Sequence, residues 1–223
     1  MKDRTRAREL AAEFHRKGDP TGWFEPLYQE GEAGKSTVPW ANLRPNPLLL
    51  DFWSAQPQPT ARKAALTIGS GLGDDAEQLA TWGFQTTAFD ISETAIRASR
   101  KRFPNSTVHY VSANLLEPPS AWRRAFDFVF EANTLQVLPA HLRARAIENI
   151  AGLLRSGGLL LIIARGRESS EPEGQMPWPL TRPELSAFTA AGLEQISFED
   201  LLDSEDPAEP AVRRFRALYR FTT

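Results

Sequence analysis

The chain has no cysteine among its 223 residues and only three histidines. Without thiols there is no disulfide, no thiolate nucleophile and no cysteine-ligated zinc, and His15, His109 and His141 have no metal-ligand spacing, so no metal centre is expected. Long apolar runs are missing too. The longest candidate, Leu153 to Ala164, is broken by Arg155 and Gly157-Gly158 and falls short of the ~20 residues that span a bilayer. The opening MKDRTRARELAAEF carries Asp3 and Glu9 and no apolar stretch, so it reads as a solvated helix rather than a secretion signal. A cytoplasmic protein without a membrane anchor is the expectation. Charge of one sign is also lacking: the formal net charge is −2, which argues against a nucleic-acid partner. The basic cluster VRRFRALYR alternates, with Phe215, Ala217, Tyr219 and Phe221 on one face and Arg214, Arg216 and Arg220 on the other. That pattern predicts a half-buried strand with a wet face.

What remains is a core and a rhythm. The length and 41% hydrophobic residues suit one large α/β domain or two small ones. A helix is expected from Lys2 to Arg16, then a loop of glycine, proline and aromatics, GDPTGWFEPLYQEGEAGKSTVPW, then an apolar helix from Pro47 to Ser54. This front section, residues 1–60, reads as an appendage to a domain at 61–223. From Ala64 onward strands and helices alternate: strands at Ala64–Ile68, Gln85–Asp90, Thr107–Val111, 126–131 and 159–165, with helices at Asp74–Trp82, Glu93–Arg102 and Pro139–Leu154 between them. Such alternation predicts a parallel sheet with helices on both faces. The segment TRPE is a capping box that starts another helix, Thr181 taking the N3 amide and Glu184 reaching back. A strand after Gly192 and the alternating strand 212–221 then pair antiparallel. The expected fold is doubly wound and Rossmann-like, five parallel strands and a terminal antiparallel hairpin making seven, with an N-terminal helical lid.

The turn Gly69-Ser70-Gly71-Leu72-Gly73 follows the first strand and opens a helix, where open α/β sheets bind ligands. A P-loop would carry Lys-Ser or Lys-Thr after its last glycine, and a dinucleotide turn would have glycine where Asp74 stands. Helix N-terminal amides favour anions, yet Asp74 and Asp75 already bring two negative charges there, which disfavours a pyrophosphate and hence a nicotinamide dehydrogenase. Either aspartate could simply cap the helix. Asp90, ending the second strand, suits the hydroxyls of a ribose. A nucleoside without phosphates, such as S-adenosylmethionine, accounts for these features together.

Through LTIGSGLGDDA, FD at 89–90, SANLLEPP, FDFVFEANTLQVLP and LLRSGGLLLII, in that order, the chain from Ala64 onward resembles the class I S-adenosylmethionine-dependent methyltransferases. The resemblance implies that Gly69, Ser70, Gly71, Gly73, Asp74, Asp90, Ile91, Asn114, Leu115 and Glu131 hold the cofactor, which leaves as S-adenosylhomocysteine. Asn114 stands where the family has an acid for the adenine amino group. GKSTVPW with the helix after it is similar to the lid of the thiopurine and halide or thiol methyltransferase branch, which implies that Trp40 contacts the cofactor; a core tryptophan pinning the lid is the competing reading. The branch often has Asp after this Trp, where this chain has Ala41-Asn42.

Methyl transfer is an in-line displacement that needs a held nucleophile and a dry site. Glu131 and His141 are the candidate bases, the former equally suited to cofactor binding or to a structural role and the latter to the surface. Trp23, Phe24, Tyr28 and Trp178 are expected to enclose the acceptor and Arg165 to orient it. A thiol or other soft nucleophile on a small molecule is the first expectation, with N- or O-methylation of a small metabolite and a non-catalytic S-adenosylmethionine-binding protein as alternatives. A monomer and a dimer are both compatible with the sequence.

Overall fold

The computed structural model describes residues 3–56, 63–203 and 211–222. Its sheet runs β3-β2-β1-β4-β5-β7-β6, seven strands, with β1 Ala64–Ile68, β2 Gln85–Asp90, β3 His109–Ser112, β4 Phe126–Ala132, β5 Leu154–Arg165, β6 Leu193–Asp203 and β7 Val212–Phe221. The strands from β3 to β5 are parallel, and β7 lies antiparallel between β5 and β6. The doubly wound architecture with a terminal antiparallel hairpin is as expected.

Period-two alternation divides the core. Leu66, Ile68, Val129, Leu160 and Ile162 face the layer built by α6 (Ala140–Leu153) and α7 (Arg182–Ala190). Ala65, Phe128, Phe130, Leu161 and Ile163 face the opposite layer, where α3 (Pro47–Ser54) buries Leu49, Phe52 and Trp53. The helices α4 (Asp74–Thr81) and α5 (Glu93–Arg102) continue that layer over β2 and β3. The helix α3 starts as its sequence dictates, with the Asn46 side chain accepting the Leu48 N–H and Pro47 in the first turn, where no N–H is needed. It is thus part of the sheet's own core, while the expected boundary at residue 60 lies outside the described residues.

Three expectations change. The front loop contains a helix, α2 (Phe24–Glu32), after α1 (Thr5–Arg16). Pro26 sits in its first turn, where it costs no hydrogen bond, and the surrounding Gly and Pro concealed the pattern. The strand β5 begins at Leu154 rather than 159, because a bulge between Phe126 and Phe128 in the pairing takes up the SGG turn, with Gly157 at φ 75°. The wet face expected of β7 is wet only at Arg220. Arg214 and Arg216 are 3% and 7% exposed, for α3 covers that face: Arg216 donates to Asp51 Oδ2 (2.7 Å), the Leu48 carbonyl (2.9 Å) and Glu199 on β6 (2.7 Å). The capping box at Thr181 and Glu184 forms as expected.

Candidate active site

At the carboxyl end of β1 the chain turns through Gly69 (φ 57°), Gly71 (φ 54°) and Gly73 (φ 92°), left-handed conformations that favour glycine. Close approach adds a second requirement. A Cβ on Gly69 would strike the Thr134 hydroxyl after β4, and one on Gly71 would lie 3.1 Å from the Tyr28 hydroxyl of α2. The turn is clasped between the sheet and the front section. Gly69, Ser70 and Gly71 border a cavity at this switch point of the sheet, together with Leu72, Ile91, Asn114 and Leu115. Gly73 does not border it; its missing side chain makes room for the Tyr110 hydroxyl.

Neither aspartate of the turn caps α4, whose N-cap is Gly73 without a side-chain hydrogen bond. Asp74 borders the cavity but is held by Arg102, Oδ1 and Oδ2 accepting at 2.8 and 2.9 Å. Asp75 accepts the Asn46 N–H through Oδ1 (2.6 Å), fastening the entry of α3, and burial pushes its carboxyl up to about 7. From the sequence Asp75 stood out for its charge at the helix start and not as a cofactor contact, although it borders the cavity. Asp90, 5% exposed, accepts Gly71 N–H (2.9 Å) and Ser92 N–H (2.9 Å) and so ties the glycine turn to the end of β2. Burial raises it to about 6 against those hydrogen bonds.

The front section closes the opposite side. Trp40 Nε1 donates to the Tyr28 hydroxyl at 2.7 Å, and Phe24 and Trp40 meet edge to face at 6.0 Å. Phe24, Tyr28 and Trp40 border the cavity, whereas Trp23, wholly buried, does not: it packs behind them and donates to the Pro20 carbonyl. Glu25 fastens α2 to the start of α5, accepting Ser92 Oγ (2.6 Å), Thr94 Oγ1 (2.6 Å) and Thr94 N–H (3.2 Å). Burial pushes its carboxyl up, but those donors outweigh it and hold the group below the usual range. The loop before α7 also reaches the front section, as Arg8 Nε donates to the Met176 carbonyl (2.8 Å). From that loop Met176 and Pro177 border the cavity, and Trp178, expected there, instead stacks at 6.2 Å on His15.

The remaining wall comes from the carboxyl ends of β4, β5 and β7. Asn133 (φ 66°), Thr134, Gln136, Arg165 and Arg214 line it; of these the sequence had singled out Arg165 as a ligand contact. Glu131 is absent from the wall. It is wholly buried, and its Oε1 accepts the N–H of Thr134 (2.5 Å) and Leu135 (3.1 Å), closing the short 3-10 turn Leu135–Val137, while burial pushes it up to about 7. Its Oε1 thus serves the fold, while Oε2 is buried without a hydrogen-bond partner. His141 is exposed on the first turn of α6, away from the cavity. Asn114 Oδ1 already accepts the Leu116 N–H (2.9 Å), so one of its two lone pairs remains for an adenine amino group.

The residues present fit S-adenosylmethionine. Ser70 Oγ is buried without a hydrogen-bond partner, the glycine turn leaves no room for more side chain, and the buried Asp90 carboxylate at the end of β2 is of the kind that accepts from ribose hydroxyls. Among the described residues no group of His, Asp and Glu could hold a metal ion, and no helix is long and apolar enough to cross a membrane.

Residues 65–158 match the family model described as a methyltransferase domain. The chain is 26% identical over 185 residues to the thiopurine S-methyltransferase of Vibrio atlanticus (strain LGP32), a match covering 76% of this chain and 84% of the relative. It is 26% identical over 192 residues to a probable thiol methyltransferase 2 of Arabidopsis thaliana, covering 84% and 81%. The structure superposes on that of the 1,6-didemethyltoxoflavin-N1-methyltransferase of Burkholderia thailandensis, solved with 1,6-didemethyltoxoflavin and S-adenosylhomocysteine bound. The TM-score is 0.68, over 97% of this chain and 91% of that one, at 18% identity.

Proposed function

Because this chain is a class I S-adenosylmethionine-dependent methyltransferase acting on a small molecule, we propose that the accepting atom is the sulfur of a thiol that ionises without a protein base. The observation that carries this reading is the makeup of the wall at the ends of β4, β5 and β7, whose charged members are arginines, Arg165 and Arg214; the carboxylate beside Arg214, Asp203 at 3.9 Å, does not border the cavity, and no histidine does. The acids that border the cavity, Asp74, Asp75 and Asp90, lie after β1 and β2 and are engaged with Arg102, Asn46 and the glycine turn. A thiol of pKa ~8.5 already has a few per cent thiolate at neutral pH; an alkyl amine or a phenol, with a pKa of about 10, lacks that advantage. The thiopurine and thiol methyltransferases at 26% identity agree with this choice.

When bound, S-adenosylmethionine supplies a methyl group on a sulfonium. The chain's part is to bind and to dry. Asp90 accepts the ribose hydroxyls, Ser70 Oγ and the open glycine turn take the amino-acid end, and Asn114 with Leu115 takes adenine. The front section acts as a lid: Phe24, Tyr28 and Trp40 exclude water, and aromatic faces tolerate a sulfonium. Burial holds the Tyr28 hydroxyl well above its ordinary value, so it stays neutral. Holding the nucleophile about 3–3.5 Å from the methyl group supplies most of the acceleration.

A labelled-methyl assay over thiols, halides, amines and phenols tests the reading. Label is expected in thiols; label confined to amines or phenols removes the sulfur assignment and leaves the methyltransferase standing.

A further inference from the structure

We infer that the acceptor carries a carboxylate, which the protein grips at the end of the cavity away from the cofactor. The inference rests on the methyl-transfer reading of this cavity but not on the identity of the accepting atom.

An amide relay fixes a hydrogen-bond donor on that wall. Arg165 N–H donates to Gln136 Oε1 (2.6 Å), which turns the Gln136 amide nitrogen toward Asn133, where it donates to Oδ1 (3.0 Å). Arg214 Nη1 donates to the same oxygen, also at 3.0 Å. With both donors on Oδ1, the Asn133 NH2 points the other way, and Asn133 borders the cavity. Its backbone stands at φ 66°, in the left-handed region that asparagine enters more readily than other residues with a side chain. A donor held by a buried relay suits an acceptor oxygen on the ligand.

Charge is segregated in the same sense. The acids of the cavity stand at the carboxyl ends of β1 and β2, on the cofactor's side, with Arg44 of the front section two residues before Asn46, which binds Asp75; Arg165 and Arg214 stand opposite, the latter 3.9 Å from Asp203, which does not border the cavity. From the lid Arg4, at the N-cap of α1, joins them, because α1 packs its Ala7 with Val137 and Met176 of this wall. Arg4 is half-buried and has no ion pair among the described residues. In a half-open chamber with apolar sides from Val137, Met176 and Phe24, these cations and the amide donor offset the desolvation of one anion, and a planar carboxylate matches guanidinium geometry. An anionic acceptor also complements the net positive charge of S-adenosylmethionine, and that attraction weakens once the methyl group has left.

The test is calorimetry on the protein loaded with S-adenosylhomocysteine, titrated at pH 7.5 and low salt with 4-(mercaptomethyl)benzoate and, separately, its carboxamide. Their thiols are both protonated there, so the carboxylate is the difference. The acid is expected to bind about tenfold tighter or more, with the preference shrinking as salt rises. Arg4→Gln and Asn133→Asp should each narrow the ratio, and Arg4→Lys should restore part of it. Equal affinities, a preference for the amide, or no binding of the acid overturns the inference. A separate readout, labelled methyl transfer to either thiol, keeps the readings apart: preferential binding of the acid with no methylation of sulfur removes the thiol assignment alone.

Discussion

Asp90 holds Gly71 and Ser92 by their amides at the end of β2, and the proposed second task is to accept the ribose of the cofactor. Burial raises its carboxyl to about 6, and ribose hydroxyls donate better to the ionised form. Affinity for S-adenosylhomocysteine is therefore expected to rise between pH 5 and 7, and calorimetry across that range reads it. In Asp90→Asn the affinity should fall by about 1.5–3 kcal/mol, the worth of one hydrogen bond to a charged acceptor, and the rise with pH should disappear. An affinity unchanged by the substitution would place the ribose elsewhere. The position of Asp90 at the cavity was legible because a strand end, an acid and a glycine turn stand in fixed order along the chain. The relay through Gln136 and Asn133 was not, since it depends on which way two amides turn, and that is set by Arg165 and Arg214 from β5 and β7. Asp74 and Asp75 were legible as charges but not as partners of Arg102 and Asn46.

At the scale of elements, α2 decides whether the cavity is covered. Its Glu25 latch onto α5 joins residues 67 and 69 positions apart, a separation no local pattern announces. Glu25→Ala should loosen the lid, lowering stability by about 1–2 kcal/mol for the lost net hydrogen bonds and raising KM for the cofactor several-fold with a smaller change in kcat. A KM that stays put, measured beside an intact melting curve, would mean that α2 is not the cover. The strands and most helices could be read from periodicity because each buries its own alternate or 3.6-spaced residues, as in Pro47–Ser54, Gln85–Asp90 and Glu93–Arg102. The helix α2 could not, since its first turn holds a proline and a glycine lies near its end. The arginines of β7 misled for another reason: alternation shows which residues share a face, and it is silent on a helix 165 positions away that covers it.

Over the whole molecule, Arg216 joins the first helix of the sheet's layer to its last two strands. Arg216→Met should keep the packing and lose those bonds, destabilising by about 1–3 kcal/mol, as both carboxylate partners can turn to water; denaturant titration measures it. Charge on buried carboxylates shapes stability against pH. Asp75, Asp90 and Glu131 all have folded values raised by burial, to about 7, 6 and 7. The unfolded chain gives up these protons earlier, so stability is greatest below the ordinary carboxylate range and falls as pH rises from about 4 through 7. Glu25 and Glu184, held below the usual range, act in the other direction and lose their contribution only in more acidic solution. Denaturant stability of the cofactor-free protein is accordingly expected to be higher at pH 5.5 than at pH 8; the opposite slope would mean that these carboxylates are solvated. The claim on which the functional account turns is that the thiol arrives ionised by its own acidity, and the pH dependence of kcat/KM for two thiols about two pKa units apart tests it most directly. The midpoint is predicted to move with the thiol, by about that same interval. A midpoint common to both thiols and lying near 7 would assign the proton to a group of the protein, Asp75 first, and contradict the account.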